Sequence, residues 1–280
     1  MNETLLHFRP LLPDELIKLG QVKLYSILYL AEGQGSFQLD GGVYQYSAPL
    51  LIFLAPFQRI HFPQSTKAMA SLLEFHGDFY CIEFHKAEVA CNGLLFNNIF
   101  LSPHILLTPE DALQIEELFT KIKYELKFIS SFDKSVMTAY LQLLLAIASR
   151  MKTRQLARYS LLSSLDEKME EFKRLIDSRF LVMQKPSDYA QALRMRSNEL
   201  TKRCRKAFGK TPSSLINERI ILEAKKKLHL TRLSVKEVAF ELNFTDEHYF
   251  SRYFKKEVGY SPLKFRQLAG ISIVADLSRN

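Results

Sequence analysis

Two stretches of this chain follow one plan about fifty residues apart, and that repeat constrains the fold more than any other feature. The first is AQALRMRSNELTKRCRKAFGKTP at 190–212, the second AFELNFTDEHYFSRYFKKEVGYSP at 239–262. In each, a short apolar run and a few turn residues precede a longer basic amphipathic run, closed by glycine and, three residues on, proline. Glycine ends helices because it takes positive φ without steric cost, and proline suits the opening of the next one. In the first copy, Pro186 and Ser187 are expected to start a short helix with Ala190 and Leu193 inward; residues 194–196 turn, and a second helix runs from about Ser197 to Phe208. In the second copy, Ser234 caps a short helix carrying Val238, Ala239 and Leu242, Asn243 and Phe244 turn, and Thr245 caps a helix to Val258. The offset is 49 residues for the first helices and 50 for the second, so the second copy holds one more turn residue. Short helix, tight turn, longer helix is the helix-turn-helix plan, predicted at about 186–209 and 234–259.

The second helix of each copy divides into faces. Leu200, Cys204, Ala207 and Phe208 are expected inward, with Asn198, Thr201, Lys202 and Arg205 outward at i, i+3, i+4 and i+7. In the second copy Phe250, Phe254 and Val258 turn inward and His248, Ser251, Arg252 and Lys255 outward. Both outer faces combine cations with hydrogen-bonding groups, the vocabulary for reading a major groove. Charge agrees. Residues 1–150 hold 11 Lys+Arg against 15 Asp+Glu, net −4, and residues 151–280 hold 27 against 15, net +12. A polyanion partner is expected for the C-terminal half alone.

The stretch 164–268 resembles the DNA-binding domain of the AraC/XylS family of transcription regulators, most densely in NFTDEHYFSRYFKKEVGYSPLKFR at 243–266, with LTKRCRKAFGKTP at 200–212 and ERIILEAKKKL at 218–228 in support. The resemblance implies that two recognition helices enter successive major-groove segments on one face of double-stranded DNA. It makes Asn198, Thr201, Lys202, Glu247, His248, Ser251 and Arg252 the candidates for base contact, and Arg203, Lys206, Lys210 and Lys255 those for phosphate. Arg196, Ser197, Arg205 and Thr245 complete the DNA-binding set. Three positions depart from the family pattern: Asn243 stands for a common turn glycine, Arg196 for a small hydroxyl cap, and Cys204 for an aromatic core residue.

The N-terminal half reads as strands, then helices. LYSILYL at 24–30, SFQL at 36–39, VYQY at 43–46, LLIFL at 50–54 and AMASLLEF at 68–75 alternate with turn material such as EGQG and DGG, which predicts an antiparallel β-barrel or sandwich over about 1–107. Thr108, Pro109 and Asp111 then supply a cap, a first-turn proline and an acid. Ile115, Leu118, Ile122, Leu126 and Ile129 recur at helical spacing, and a second helix carries Val136, Tyr140, Leu143, Leu144 and Ile147. These predict a helical hairpin over about 108–150, whose stripes either cover the barrel or form a dimer seam. Residues 151–163 read as a linker, and Ser164 with Glu167 as the capping box of the next helix. The expected fold class is therefore α+β in two domains: a sensor at 1–150 and an all-α domain at 164–280.

GQGSFQLDGGVYQYSAPLLIFLAPFQRIHF resembles, more loosely, the cupin-like sensor barrel of many members of that family. It implies a small-molecule effector, for which Tyr25, Tyr44, Tyr46, Arg59, His61 and Glu74 are candidates, although each taken singly reads better as a packed or hydrogen-bonded strand residue. A catalytic cupin needs an HxH pair, and RIHF supplies only His61, so no catalytic residue, metal or cofactor is assigned. His76, Cys81, His85 and Cys91 could form a soft metal site, although scattered residues of these types more often serve in core or surface. Three widely spaced cysteines fit reduced thiols. The most apolar runs, 48–57 and 139–148, fall short of the roughly 20 residues that span a bilayer. The sequence thus predicts a cytoplasmic, sequence-specific transcription regulator rather than an enzyme, with an effector, a second copy of the chain and RNA polymerase as further partners. The rival reading is a cupin-type metal-binding protein or enzyme with an appended DNA-binding module.

Overall fold

The computed structural model describes residues 6–63, 68–77, 79–80, 93–128, 134–162 and 166–270. The chain forms two compact units, 1–163 and 164–280.

The first unit contains strands β1 (Leu6–Leu11), β2 (Gly20–Gln21), β3 (Tyr25–Leu30), β4 (Gln34–Leu39), β5 (Gly42–Ser47), β6 (Leu50–Leu54), β7 (Arg59–His61), β8 (Ala70–Phe75) and β9 (His104–Leu106), with helices α1 (Pro13–Ile17), α2 (Pro109–Glu125) and α3 (Lys134–Leu162). The strands make two antiparallel sheets, β1-β8-β3-β6-β9 and β2-β7-β4-β5, rather than one closed barrel. Successive side chains of a strand point to opposite faces, so a strand buried on both must be apolar throughout. That is why LLIFL carries no polar alternation. Leu50, Ile52 and Leu54 meet Phe37, Leu39 and Ile60 of the other sheet, together with Phe62 just after β7. Leu51 and Phe53 meet Ile115, Leu118, Phe119, Leu141, Leu144 and Leu145 under the helices. The larger sheet is thus the middle of three layers.

Thr108 caps α2 as expected, its Oγ1 accepting from Asp111 N while Asp111 reaches back to Thr108 N. On α3 the buried stripe is Met137, Leu141, Leu144, Leu145, Ile147, Ala148 and Met151, so Leu144 and Ile147 lie inward as expected, while Val136 and Leu143, also expected within it, are 42% and 46% exposed. The helix also runs through 151–162, the stretch read as a linker. Lys152 helps to account for this continuation: its buried ammonium donates to Ser102 O (2.7 Å), Ser102 Oγ (3.1 Å) and His104 O (2.8 Å), and Arg154 reaches Asp111 (2.6 Å). These two side chains fasten the extra turns of α3 to β9 and to the start of α2.

The second unit is helical: α4 (Glu167–Arg179), α5 (Pro186–Ala192), α6 (Ser197–Phe208), α7 (Pro212–Leu230), α8 (Val235–Glu241), α9 (Glu247–Val258) and α10 (Pro262–Ala269). The repeat extends beyond the two motifs. Gly209 (φ 70°) and Gly259 (φ 89°) end α6 and α9 in the left-handed conformation, and Thr211 and Ser261 then cap α7 and α10 by accepting from Ser214 N and Lys264 N. Arg194 (φ 52°) and Asn243 (φ 63°) occupy equivalent positive-φ turn positions. Met195 N bonds Ala190 O just as Phe244 N bonds Ala239 O, so the extra residue of the second copy lies between Phe244 and Glu247. The start of α4 differs from expectation: Asp166 is its N-cap residue, without a side-chain cap bond, and Ser164 lies outside the described residues.

Candidate nucleic-acid interface

Each of α6 and α9 has 12 residues, about 18 Å of helix. Both pack against α7, whose 19 residues form the spine of the unit. In α6 the inward residues are Leu200 and Cys204, both fully buried, with Phe208 half-buried and stacked on Phe172 at 6.4 Å. Ala207, expected inward, is exposed. The inner row runs 200, 204, 208 at steps of four, which leaves position 207 at its edge. In α9 the row is Phe250, Phe254 and Val258, buried against one another and Phe265.

The outer rows hold the predicted residues. Arg196, Ser197, Asn198, Lys202, Arg205 and Lys206 are exposed on or beside α6, with Thr201 half-buried and its hydroxyl donating to Ser197 O. On α9, His248, Arg252 and Lys255 are exposed and Glu247 and Ser251 half-buried. The two helices begin differently. Arg196, the residue before α6, makes no side-chain cap bond. Asp246 caps α9, accepting from His248 N (3.2 Å) and Tyr249 N (2.7 Å); the cap expected at Thr245 is therefore the next residue, and Thr245 is an exposed turn residue.

Two of the cations expected at phosphate are engaged within the protein. Lys210 is buried, its ammonium 2.6 Å from Glu218. Arg203 pairs with Asp166 (3.1 Å) and Glu199 (2.9 Å). The lysine's burial follows from the left-handed turn at Gly209, which swings the chain inward, a geometry that charge counting along the sequence misses. Lys206 and Lys255 remain exposed. Residues 164–280 carry 24 Lys+Arg against 15 Asp+Glu, net +9.

Residues 189–268 match the sequence profile of a helix-turn-helix domain. Along most of its length the chain is similar to an uncharacterized HTH-type transcriptional regulator, YfiF, of Bacillus subtilis, 25% identical over 87% of this chain and 77% of YfiF. The HTH-type transcriptional activator RhaR of an Enterobacter species is 26% identical over 67% of this chain and 66% of its own. Its C-terminal unit therefore carries a DNA-binding helix-turn-helix domain of the AraC type. Among solved structures, wild-type ToxT from Vibrio cholerae with an unsaturated fatty acid bound aligns over 97% of this chain and 99% of its own, with 15% identity and a TM-score of 0.40.

In the first unit the six candidate effector residues do not converge. Tyr44 and Tyr46 of β5 lie between the two sheets, with Phe37, Phe62 and His104 around them. Tyr25 is on the opposite face of the middle sheet, stacked on Phe75 at 5.4 Å beneath the helices. Arg59 and His61 are exposed on β7, because Ile60 between them takes the inward position. Glu74 on β8 lies 3.8 Å from Arg9. Sequence reading missed His104, a buried imidazole whose Nδ1 has no hydrogen-bond partner among the described residues. Burial, with Lys152 nearby, lowers its pKa to about 4; burial lowers that of Lys152 to about 8.

Of the possible metal ligands, Cys81, His85 and Cys91 lie outside the described residues. Among those described, no group of three His, Cys, Asp or Glu is arranged to hold a metal ion. The Cys204 thiol packs 4.0 Å from the Met169 sulfur, and burial, with Asp166 nearby, pushes it up to about 12, so it stays protonated as a small core residue. No described helix is long and apolar enough to cross a membrane.

Proposed function

We propose that α6 and α9 read successive major-groove segments on one face of duplex DNA, about one turn or roughly 34 Å apart. Asn198, Thr201, Lys202, Glu247, His248, Ser251 and Arg252 address base edges. Arg196, Ser197, Arg205, Lys206, Thr245 and Lys255 address the backbone. The observation that carries this is the pair of equal helices seated on one spine, each with an apolar row buried and a cationic, hydrogen-bonding row in solvent. A merely solvated lysine-rich surface gives no reason for two such rows in register.

The first unit is the sensor in this reading: a small molecule bound between its sheets, near Tyr44 and Tyr46, alters which DNA segments are occupied. The outer face of α3, where Val136 and Leu143 are exposed, supports a homodimer, since the inner stripe already covers the sheet. The protein works in the cytoplasm, where its promoter DNA is.

Selection of bound sequences from a random DNA pool, with the full chain at near-physiological salt, tests the reading. Two short motifs about one helical turn apart are expected. Salt-sensitive binding with no sequence preference, by the full chain and by residues 164–280 alike, would overturn it.

A further inference from the structure

The departure of Asn243 from the family's turn glycine has a structural counterpart. Its amide nitrogen donates to Leu181 O at 3.0 Å, across to the loop that follows α4. Gln184 in that loop donates to the same carbonyl and to Leu242 O, both at 3.3 Å. The turn before α9 is thus fastened to the loop after α4. The body of α4 is fastened to α6 instead: Asp166 to Arg203 at 3.1 Å, Met169 to Cys204 at 4.0 Å, and Phe172 stacked on Phe208. Arg219 of α7 lies 4.0 Å over the Phe180 ring, where α4 ends, and so holds that end to the spine. α4 is therefore a strut with one recognition helix on its body and the turn of the other at its end. A glycine at 243 would satisfy the positive φ with no link to the strut.

We propose that Asn243 is a positioning residue that fixes where α9 sits relative to α6, and so sets the spacing between the two DNA segments the chain accepts. This rests on the two-helix reading above. One added base pair moves a segment about 3.4 Å along the axis and rotates it by roughly 35°, more than a tethered helix can follow without losing contacts.

The experiment compares the full-length chain with Asn243→Gly, which keeps the φ and removes the donor, and Gln184→Ala, which leaves the turn residue untouched. Each is titrated against the selected DNA and against versions with the spacer one base pair longer or shorter, alongside melting temperature. The wild type is expected to lose about tenfold or more on either altered spacer. Asn243→Gly should bind the original DNA within about threefold and lose only about threefold on the altered ones, with Gln184→Ala between the two. If both variants keep the full wild-type penalty, or lose affinity equally at all spacings while melting earlier, Asn243 serves only the fold and the inference is overturned. A wild type indifferent to spacing overturns the inference and leaves the two-helix reading standing. A selection that yields no paired motif removes the reading and the inference together.

Discussion

Lys210 Nζ lies 2.6 Å from Glu218 Oε2, and the lysine side chain is 7% exposed at the junction of α6 and α7. Ser214 Oγ donates to the other carboxylate oxygen at 3.2 Å. A cation so placed braces the corner between a recognition helix and the spine and is withheld from the DNA backbone. Lys210→Met removes the ammonium from a carboxylate that stays largely buried. The expected loss is roughly 2–4 kcal/mol by denaturant unfolding, less than for a fully buried pair because Glu218 reaches water. The slope of log affinity against log salt should not change; a decrease of about one would return Lys210 to the phosphate contacts.

The cap of α9 provides a second test. Asp246 is held below the usual carboxylate range chiefly by the Tyr249 backbone N–H, with His248 N–H and the nearby His248 and Arg252 side chains adding to it. Its contribution is present above its unfolded pKa and is lost as pH falls through the lower folded value. Asp246→Ala should therefore lower the melting temperature more than Thr245→Ala does at neutral pH, and the difference should shrink on strong acidification. Equal effects of the two substitutions at pH 7 would restore the cap to Thr245.

The C-terminal unit was legible because its signals are local. Ser234 and Glu237 form the capping box where their spacing puts it, and Gly209, Gly259, Pro212 and Pro262 end and start helices where such residues do. The inner rows of α6 and α9 followed the same period, apart from Ala207. In the N-terminal unit the decisive pairings are distant: β1 lies against β8, and β9 against β6, and β9, at three residues, is too short to announce itself in sequence. α3 was misread because apolar residues surround it. Of the expected stripe, Leu144 and Ile147 are buried and Tyr140 packs beside them, whereas Val136 and Leu143 face outward and Met137, Leu141, Leu145, Ala148 and Met151 take the inner positions, a choice that only packing against the middle sheet makes. Lys152 and His104 escaped for the same reason, as nothing beside them in sequence shows that they are buried.

Arg252 and Lys255 stand one turn apart on the outer row of α9, both exposed, and the two-helix reading gives them different work. Arg252→Ala should cost about 1–3 kcal/mol on the selected DNA and far less on random DNA, with relaxed preference at one base position. Lys255→Ala should weaken both about equally and lower the salt slope by about one. Titrations of each variant on both DNAs at several salt concentrations separate the roles. Uniform loss with Arg252→Ala would make it a phosphate contact.

His104 and Lys152 give the N-terminal unit a pH signature with a definite sign. Both are bases with lowered pKa, to about 4 and about 8 from ordinary values of 6.5 and 10.5. The unfolded chain therefore binds the additional proton within each window, and stability rises with pH across it. Lys152 acts between about 8 and 10.5, His104 between about 4 and 6.5, and neither contributes a slope between 6.5 and 8. Acidification from pH 7.5 to 4 should cost the unit about 3 kcal/mol through His104 alone, at about 1.36 kcal/mol per pKa unit. Carboxylates also titrate there, so the informative quantity is the stability difference between wild type and His104→Leu, measured by urea unfolding of the N-terminal unit within the full chain. That difference should move by about 3 kcal/mol in favour of the variant on acidification. A difference that stays constant across that acidification would mean that His104 gains its proton as easily folded as unfolded, and that the space between the sheets is open to water at that point.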